Sequence, residues 1–588
     1  MELAGNITHL LMAGVVILTL MCLVDALRAR LAASEERRKK RKALEGGVDA
    51  PEAPGPKGLP LLGSLHLLSG YEVPYEAFGV IGRQFGPVAS LALGSVKCVV
   101  VNGAEAVREV LLGPKGGHFD GRPDFRRYHQ LFCGDKENSL AFCNWSDVQK
   151  LRRDMLKGHT FPRAFSARFH VLDTILANEM QSLLRRIETA STNTTANNNN
   201  TTNKRSRAFD NASKLALGVA ALLRRSLSGP SALTTTHDED EGPKAQSEAP
   251  ARAPAAAKPL ILQAVANVFT SYFAGKRFAE DGADPAFARM VTDFDAIFHE
   301  VNQGYAADFL PWLLPLHGRH LAKLSAWSHR IRGFMMDALV GGRTEQWEAR
   351  QAAGEEAEET DYVGALVGHV RSGAEPRMSW DTALFALEDI IGGHSAVGNL
   401  LIKVLAFVST RPEVQTRVRA EMRQALGGEK RPLRLSDRTN MPYTEAIVFE
   451  AIRLISSPIV PHVANKDSTI GGYRVEKDTL IFLNNYDLNM SSELWDEPEA
   501  FKPERFLVKD AGSEGQLRLK KPEHFLPFGA GRRSCMGYKL VQYVSFIVLG
   551  TVLEQYNLVP VPGEDYSVKI GNLALPEDTY KFIFEKVR

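Results

Sequence analysis

The chain has 588 residues, 44% of them apolar and 24% charged, with a formal net charge of +2 at pH 7. This is a globular composition, and so balanced a charge gives no case for nucleic-acid binding. Length alone allows roughly three or four domains. Five cysteines, Cys22, Cys98, Cys133, Cys143 and Cys535, are an odd number without metal-like pairing; they read as reduced thiols in a cytosol-facing body.

Residues 7–27 are mostly apolar, interrupted by Thr8, His9, Thr19 and Asp25. The uninterrupted core is shorter than the ~20 residues that cross a bilayer, but its flanks make a spanning helix feasible. Arg28, Arg30 and the run Arg37-Arg-Lys-Lys-Arg-Lys42 follow it. Positive charge behind the segment predicts a cytoplasmic C-terminal side and an uncleaved anchor rather than a signal peptide. Residues 1–30 are thus expected to be a membrane anchor and 31–59 a basic, Pro-rich linker. Pro54 and Pro56, with Pro60 just beyond, stiffen an extended connector.

Residues 60–588 remain as the body, with two probable disordered insertions. Residues 189–207 carry the tract Asn193 to Asn203, and residues 226–259 carry Asp238-Glu-Asp-Glu241 among Ser, Thr, Pro and Ala. Neither has the apolar content to offset its ordering entropy. Between them, Lys214 to Arg225 has the pattern of one or two amphipathic turns. Helical periodicity returns from Leu260 to Phe273. A long helix is expected from Thr382 to Phe407, containing Gly392-Gly-His-Ser-Ala-Val397. Another spans Tyr443 to Ile455, where spacing of three puts Glu450 and Arg453 on one face. Alone, such a pair is most often a surface ion pair. Pro503-Glu-Arg-Phe506 follows.

Near the C-terminus the chain reads Phe525-Leu-Pro-Phe-Gly-Ala-Gly-Arg-Arg-Ser-Cys535-Met-Gly537. A cysteine that ligates haem iron does so as its thiolate, whereas a free thiol has a pKa of ~8.5 and must be held ionised. Arg532, Arg533 and the N–H groups of Gly529, Gly531 and Gly537 are expected to favour the charged sulfur. Small residues also let backbone pass close to a flat macrocycle. At average usage, the four positions Phe528, Gly531, Arg533 and Cys535 arise by chance in about one window in 10^5. The bland reading, a buried structural cysteine beside a Gly-rich turn, is weak here.

This segment resembles the haem-binding loop of the cytochrome P450 family, Phe-x-x-Gly-x-Arg-x-Cys-x-Gly. The resemblance implies a mainly α haem-thiolate domain with small β-sheets. It implies that Cys535 ligates the iron of haem b, with Phe528 and Gly529 in the loop against the macrocycle, and that a thiolate pushes electron density onto iron. It further implies Arg533 and His462, in Ile459-Val-Pro-His-Val463, as propionate contacts. Trp145 is similar to the Trp of the family's distal-side Trp-x-x-x-Arg helix. Position 149 is Gln, and Arg152, seven residues on, is expected to return to the face of Trp145. Glu450, Arg453 and Arg505 are implied to form a buried triad behind the haem loop.

The family usually carries an acid and an alcohol that deliver protons during oxygen activation. Here those positions are Ser395 and Ala396. Gly392 and Gly393 are kept, so the helix retains the means to kink and hold dioxygen or water. His394, Ser395, water or a substrate hydroxyl remain as proton donors. Alternatively the chain is a haem-thiolate isomerase or dehydratase without external reductant, or a non-enzymatic haem or sterol carrier.

Asp389 to Asn399 and Phe119-Asp-Gly-Arg-Pro-Asp-Phe125 resemble the Spook and Spookier branch of the insect Halloween group of ecdysteroid-forming enzymes. The likeness covers 60–188 and 260–588. It implies a monooxygenase acting on a sterol early after 7-dehydrocholesterol, in the endoplasmic reticulum membrane. No flavin or dinucleotide module is evident, so NADPH enters only through a separate NADPH-cytochrome P450 reductase. That partner is expected near Lys520, Lys521 and Lys539, with cytochrome b5 as an alternative donor.

Overall fold

The computed structural model describes residues 50–71, 73–192, 252–279, 283–354, 361–373, 379–509, 516–576 and 579–587. The expected anchor, the basic part of the linker and the turns at 214–225 lie outside these residues.

The central element is the helix Trp380–Ser409. Its N-cap Ser379 accepts a hydrogen bond from the Thr382 N–H at 3.2 Å, and Asp381 in the first turn complements the helix dipole. A helix apolar on nearly all sides must be covered on all sides. Helices Ala257–Ala274, Pro285–Val301, Pro442–Ile455 and Tyr538–Gln555 pack around it. By length and composition it could cross a membrane, but most of it is buried inside the protein, as expected of a core helix. It starts two residues earlier and ends two later than its apolar pattern predicts.

The sheets are small. Strands Val88–Leu93 and Val96–Val101 form a hairpin, which continues through Leu480–Leu483 to the two-residue strand His462–Val463. His462 pairs with Ile481, fixing its place at the sheet edge. A second sheet joins Tyr556–Pro560, Lys581–Lys586 and Ala255–Ala256.

Two boundaries differ from those composition suggests. Residues 189–192 complete the helix Ala167–Thr192, and Ala255–Ala256 is a strand followed at once by a helix. Long-range pairing overrides the local polarity. Arg252 grips the Glu188 carboxylate with bonds of 2.7 and 2.9 Å, and Ala253 N–H donates to Ser191 O at 3.0 Å. The end of the Pro-rich linker is also no free connector. Pro54 O accepts from Ser90 N–H at 2.8 Å, and Ala53 is buried.

Candidate active site

The segment 525–537 ends at the N-terminus of helix Tyr538–Gln555. Gly529 and Gly531 have φ of +63° and +65°, a region that disfavours side chains. A Cβ on Gly531 would also fall on the Leu111 carbonyl oxygen. Cys535 N–H donates to Phe528 O at 2.9 Å, closing the loop. The Cys535 side chain is exposed although protein packs around it. Burial pushes its thiol up; the Gly537 N–H, Arg153 and the Tyr538 N–H act against this. Unpaired N–H groups at a helix N-terminus favour an anion, and the sulfur sits where they point.

The cation beside the sulfur is not the one expected. Arg532 pairs with Asp120 at 3.1 Å, and Arg533 donates to Asp120 O at 2.8 Å and Cys143 O at 2.7 Å. Both guanidinium groups lie over the Trp145 ring, 5.3 and 5.5 Å from its centroid. Trp145 is therefore brought to the loop by cation–π contact. Arg152 is not; it donates to Asn138 O at 2.5 Å and Glu137 O at 3.0 Å. The next residue, Arg153, reaches Ser534 O at 2.6 Å. Counting seven residues from Trp145 fails because Trp145 precedes the N-cap. Ser146 is extended (φ −149°, ψ 170°), so helical phase begins only after it.

Beyond the loop lies a cationic corner. His462 is buried, with Nδ1 2.6 Å from Phe119 O, and its imidazole is held well below the usual range by burial and then by Arg122. Arg122 is buried and donates to Ala141 O at 3.0 Å and Pro461 O at 3.3 Å. Burial, then the like charge of Arg533, pushes it down to about 9. Two guanidinium groups sharing low-dielectric space call for an anion between them. A cavity of about 210 Å³, lined by His462, Arg532, Arg533, Asp120 and Gly117 among others, opens beside them. Arg122 lies in the segment Phe119 to Phe125, where nothing in the sequence marks it as a cation of this corner.

The central helix has one face less closely covered than the rest, where Gly392 and Gly393 lie against the rings of Phe294 and Phe269. From Ala383 to Ala406 every residue is buried except Asp389, Gly392, Gly393 and Ala396, a spacing that defines one face. Asp389 is held there by Ser139 Oγ at 2.9 Å and by Leu140 N–H. The helix runs through both glycines without interruption. His394 and Ser395 lie off this face and are fully buried. His394 Nδ1 is 2.7 Å from Ile391 O, its Nε2 is 3.4 Å from Ser395 Oγ, and burial pushes it down to about 4. At neutral pH it is an uncharged core imidazole.

Glu450 and Arg453 meet in a fully buried bidentate pair, both bonds 2.8 Å. Arg505 adds a third contact to Glu450 at 3.2 Å. Arg453 also donates to Asn489 O, and Lys502 N–H to Glu450, so the charges are enclosed by hydrogen bonds.

The cytochrome P450 family model matches residues 53–225 and 243–584. The chain belongs to the cytochrome P450 family. It is 36% identical over 549 residues to cytochrome P450 307a1 of Drosophila melanogaster, covering 90% of this chain and 88% of that protein. It is 26% identical over 525 residues to cytochrome P450 1A1 of Platichthys flesus (87% and 86% covered), and 27% identical over 525 residues to cytochrome P450 1A5 of Gallus gallus (88% and 85% covered). As a P450 monooxygenase it uses haem b, with electrons from NADPH through a reductase. The residues present fit that group. An exposed thiol at a helix N-terminus suits iron, and the corner of Arg122, Arg533 and His462 suits two carboxylates.

Proposed function

We propose that this P450 oxidises a sterol in ecdysteroid biosynthesis, at an early step after 7-dehydrocholesterol, with Cys535 as the residue that would hold its haem iron. The observation that carries the haem reading is the enclosed Cys535 thiol facing the N–H groups of Gly537 and Tyr538. The substrate class rests on the likeness of Asp389 to Asn399 and Phe119 to Phe125 to the Spook branch, alongside 36% identity to a Drosophila P450. When bound, haem supplies reductive activation of dioxygen.

The protein's part is to hold and position. Arg153 and the helix N-terminus favour an anionic sulfur against the burial that pushes its thiol up, while Arg122, Arg533 and His462 would hold the propionates. The open face at Gly392, Gly393 and Ala396 leaves room for substrate and water. His394 and Ser395 are off that face, so protons reach the site through water or a substrate hydroxyl. The chain is anchored in the endoplasmic reticulum membrane by residues 1–30, with the body cytosolic. The reductase, or cytochrome b5, docks by the exposed Lys520 and Lys521 and the neighbouring Lys539.

The side chains on the open face favour a second reading. They include no alcohol, and their one carboxyl, Asp389, is already hydrogen-bonded. That suits an isomerase or dehydratase needing no reductant. Full-length protein reconstituted with reductase and 7-dehydrocholesterol decides between them. Product that requires both NADPH and oxygen supports the monooxygenase; product without either supports the isomerase. Sterol left unchanged under all conditions would overturn the proposed substrate.

A further inference from the structure

Between the turn Lys136–Asn138 and helix Asp147–Thr160 the chain makes a loop that receives both guanidinium groups of the cationic corner. Ala141 O takes Arg122 Nε, and Cys143 O, two residues on, takes Arg533 Nη2. The backbone of Arg122 is tied to the same loop, its N–H donating to Asn144 Oδ1 at 3.0 Å. A planar guanidinium with fixed donors points where its acceptors stand. The place of this loop therefore sets the direction of two cations at once.

The loop is closed at its ends, where the Glu137 carboxylate accepts from Asn144 N–H at 3.0 Å and Asn144 Nδ2 at 2.7 Å. At its centre is Ser139, fully buried, whose Oγ accepts from Ala141 N–H at 3.0 Å and Phe142 N–H at 3.1 Å. From one side helix Asp147–Thr160 holds the loop, with Gln149 Nε2 on Leu140 O at 2.7 Å and Arg152 on the carbonyls of Glu137 and Asn138. From the other side the central helix holds it. There, among the described residues, both hydrogen bonds end on one oxygen of Asp389, from Ser139 Oγ at 2.9 Å and from Leu140 N–H. A hydroxyl has one proton to give and two lone pairs. With its proton on Asp389, Ser139 has both lone pairs turned to the loop's own N–H groups. Without that carboxylate the hydroxyl is free to rotate, and the turn that presents Ala141 O and Cys143 O loses its brace.

We infer that Asp389 is a positioning residue of the haem site, bracing loop 137–144 against the central helix so that Arg122 and Arg533 are aimed at the haem carboxylates. One carboxylate thus joins the helix that carries Gly392 and Gly393 to the cations on the other side of the site. The inference rests on the reading that this corner holds haem carboxylates, and not on the substrate being a sterol.

The test uses purified full-length holoenzyme and reads two quantities without turnover, the rate of haem transfer to apomyoglobin and the reduction potential of the haem. Asp389→Ala should speed haem loss by about tenfold, the scale of one lost hydrogen bond to a charged group. It should also lower the potential, because cations turned away from the haem favour the reduced iron less. Asp389→Asn keeps an acceptor oxygen and should stay within about twofold of wild type. In protein already carrying Arg122→Gln, Asp389→Ala should speed haem loss by less than it does alone, since part of its route is gone. Where Asp389→Ala does not yield holoenzyme, Ser139→Ala removes the brace from its other end and should show the same pattern. Wild-type haem loss and potential in these variants would overturn the inference. So would an asparagine variant as fast as the alanine one, or rates that multiply fully with Arg122→Gln, as a general loss of stability gives. Wild-type protein that takes up no haem would instead overturn the reading beneath the inference, and this is seen before any variant is made.

Discussion

Arg153 Nη2 lies 2.6 Å from the carbonyl oxygen of Ser534, the residue before Cys535. This one hydrogen bond ties helix Asp147–Thr160 to the cysteine loop and puts a guanidinium beside the sulfur. Arg533, adjacent in sequence, is spent on Asp120 and Cys143 carbonyls.

Removing Arg153 takes away the nearest cation that opposes burial of the thiolate. Arg153→Ala is therefore expected to raise the thiol pKa, so that the thiolate-ligated carbonyl spectrum gives way to a thiol-like one at a higher pH than in wild type. Arg153→Lys should fall between them. A pH titration of the reduced carbonyl complex measures this. Identical titrations would leave the helix N–H groups as the sole support of the anion.

The Glu450–Arg453 pair has 0% side-chain exposure on both sides. Removing one member strands a buried charge, at a cost of about 3–5 kcal/mol. Glu450→Gln leaves Arg453 and Arg505 facing a neutral amide, and should yield protein with little bound haem and a lowered denaturant midpoint. Arg453→Lys keeps the charge but loses the planar fork, so it should lose stability too. Haem per polypeptide and urea unfolding check both. Wild-type values in either variant would remove the triad from haem-loop support.

How far the site is legible in sequence differs from residue to residue. Cys535 is legible because its loop needs a fixed order of glycines, two at positive φ. Glu450 and Arg453 are legible because three residues along a helix always bring side chains together. The facing of His394 is not legible: a helix buried on all sides has no amphipathic phase to show which face meets the pocket. Arg153 is missed because the N-cap at Ser146 resets the phase counted from Trp145. The strand His462–Val463, two residues long, has no periodicity at all; pairing with Leu480–Leu483 defines it. The insertion edges at 192 and 255 are likewise set by contacts distant in sequence.

Arg122 has a distinct signature. Its side chain donates to carbonyls of Ala141 and Pro461, and Arg533 is its close like-charged neighbour. If haem carboxylates neutralise this corner, Arg122→Ala should accelerate haem loss to apomyoglobin and leave the Soret position of the bound fraction unchanged. Arg122→Gln keeps hydrogen bonding without charge and should behave like the alanine variant. Retention equal to wild type in both would mean that Arg122 is held for packing alone.

The last prediction concerns acid stability. His394 has 0% exposure and its pKa is lowered from 6.5 to about 4, chiefly by burial. In the unfolded chain the imidazole binds a proton near 6.5; in the folded chain it does so only near 4. Below pH 6.5 the unfolded state therefore holds more protons, and stability must fall as pH drops from 6.5 towards about 4. Full stability from this group is present above 6.5, and the whole contribution is on the order of 3 kcal/mol. Urea midpoints measured from pH 7.5 downward should decline more steeply in wild type than in His394→Phe, which has nothing to protonate there. The same neutrality predicts that product formed per NADPH shows no step with a pKa near 6.5 that His394→Phe abolishes. Such a step would place His394 in proton delivery and reverse its assignment to the core.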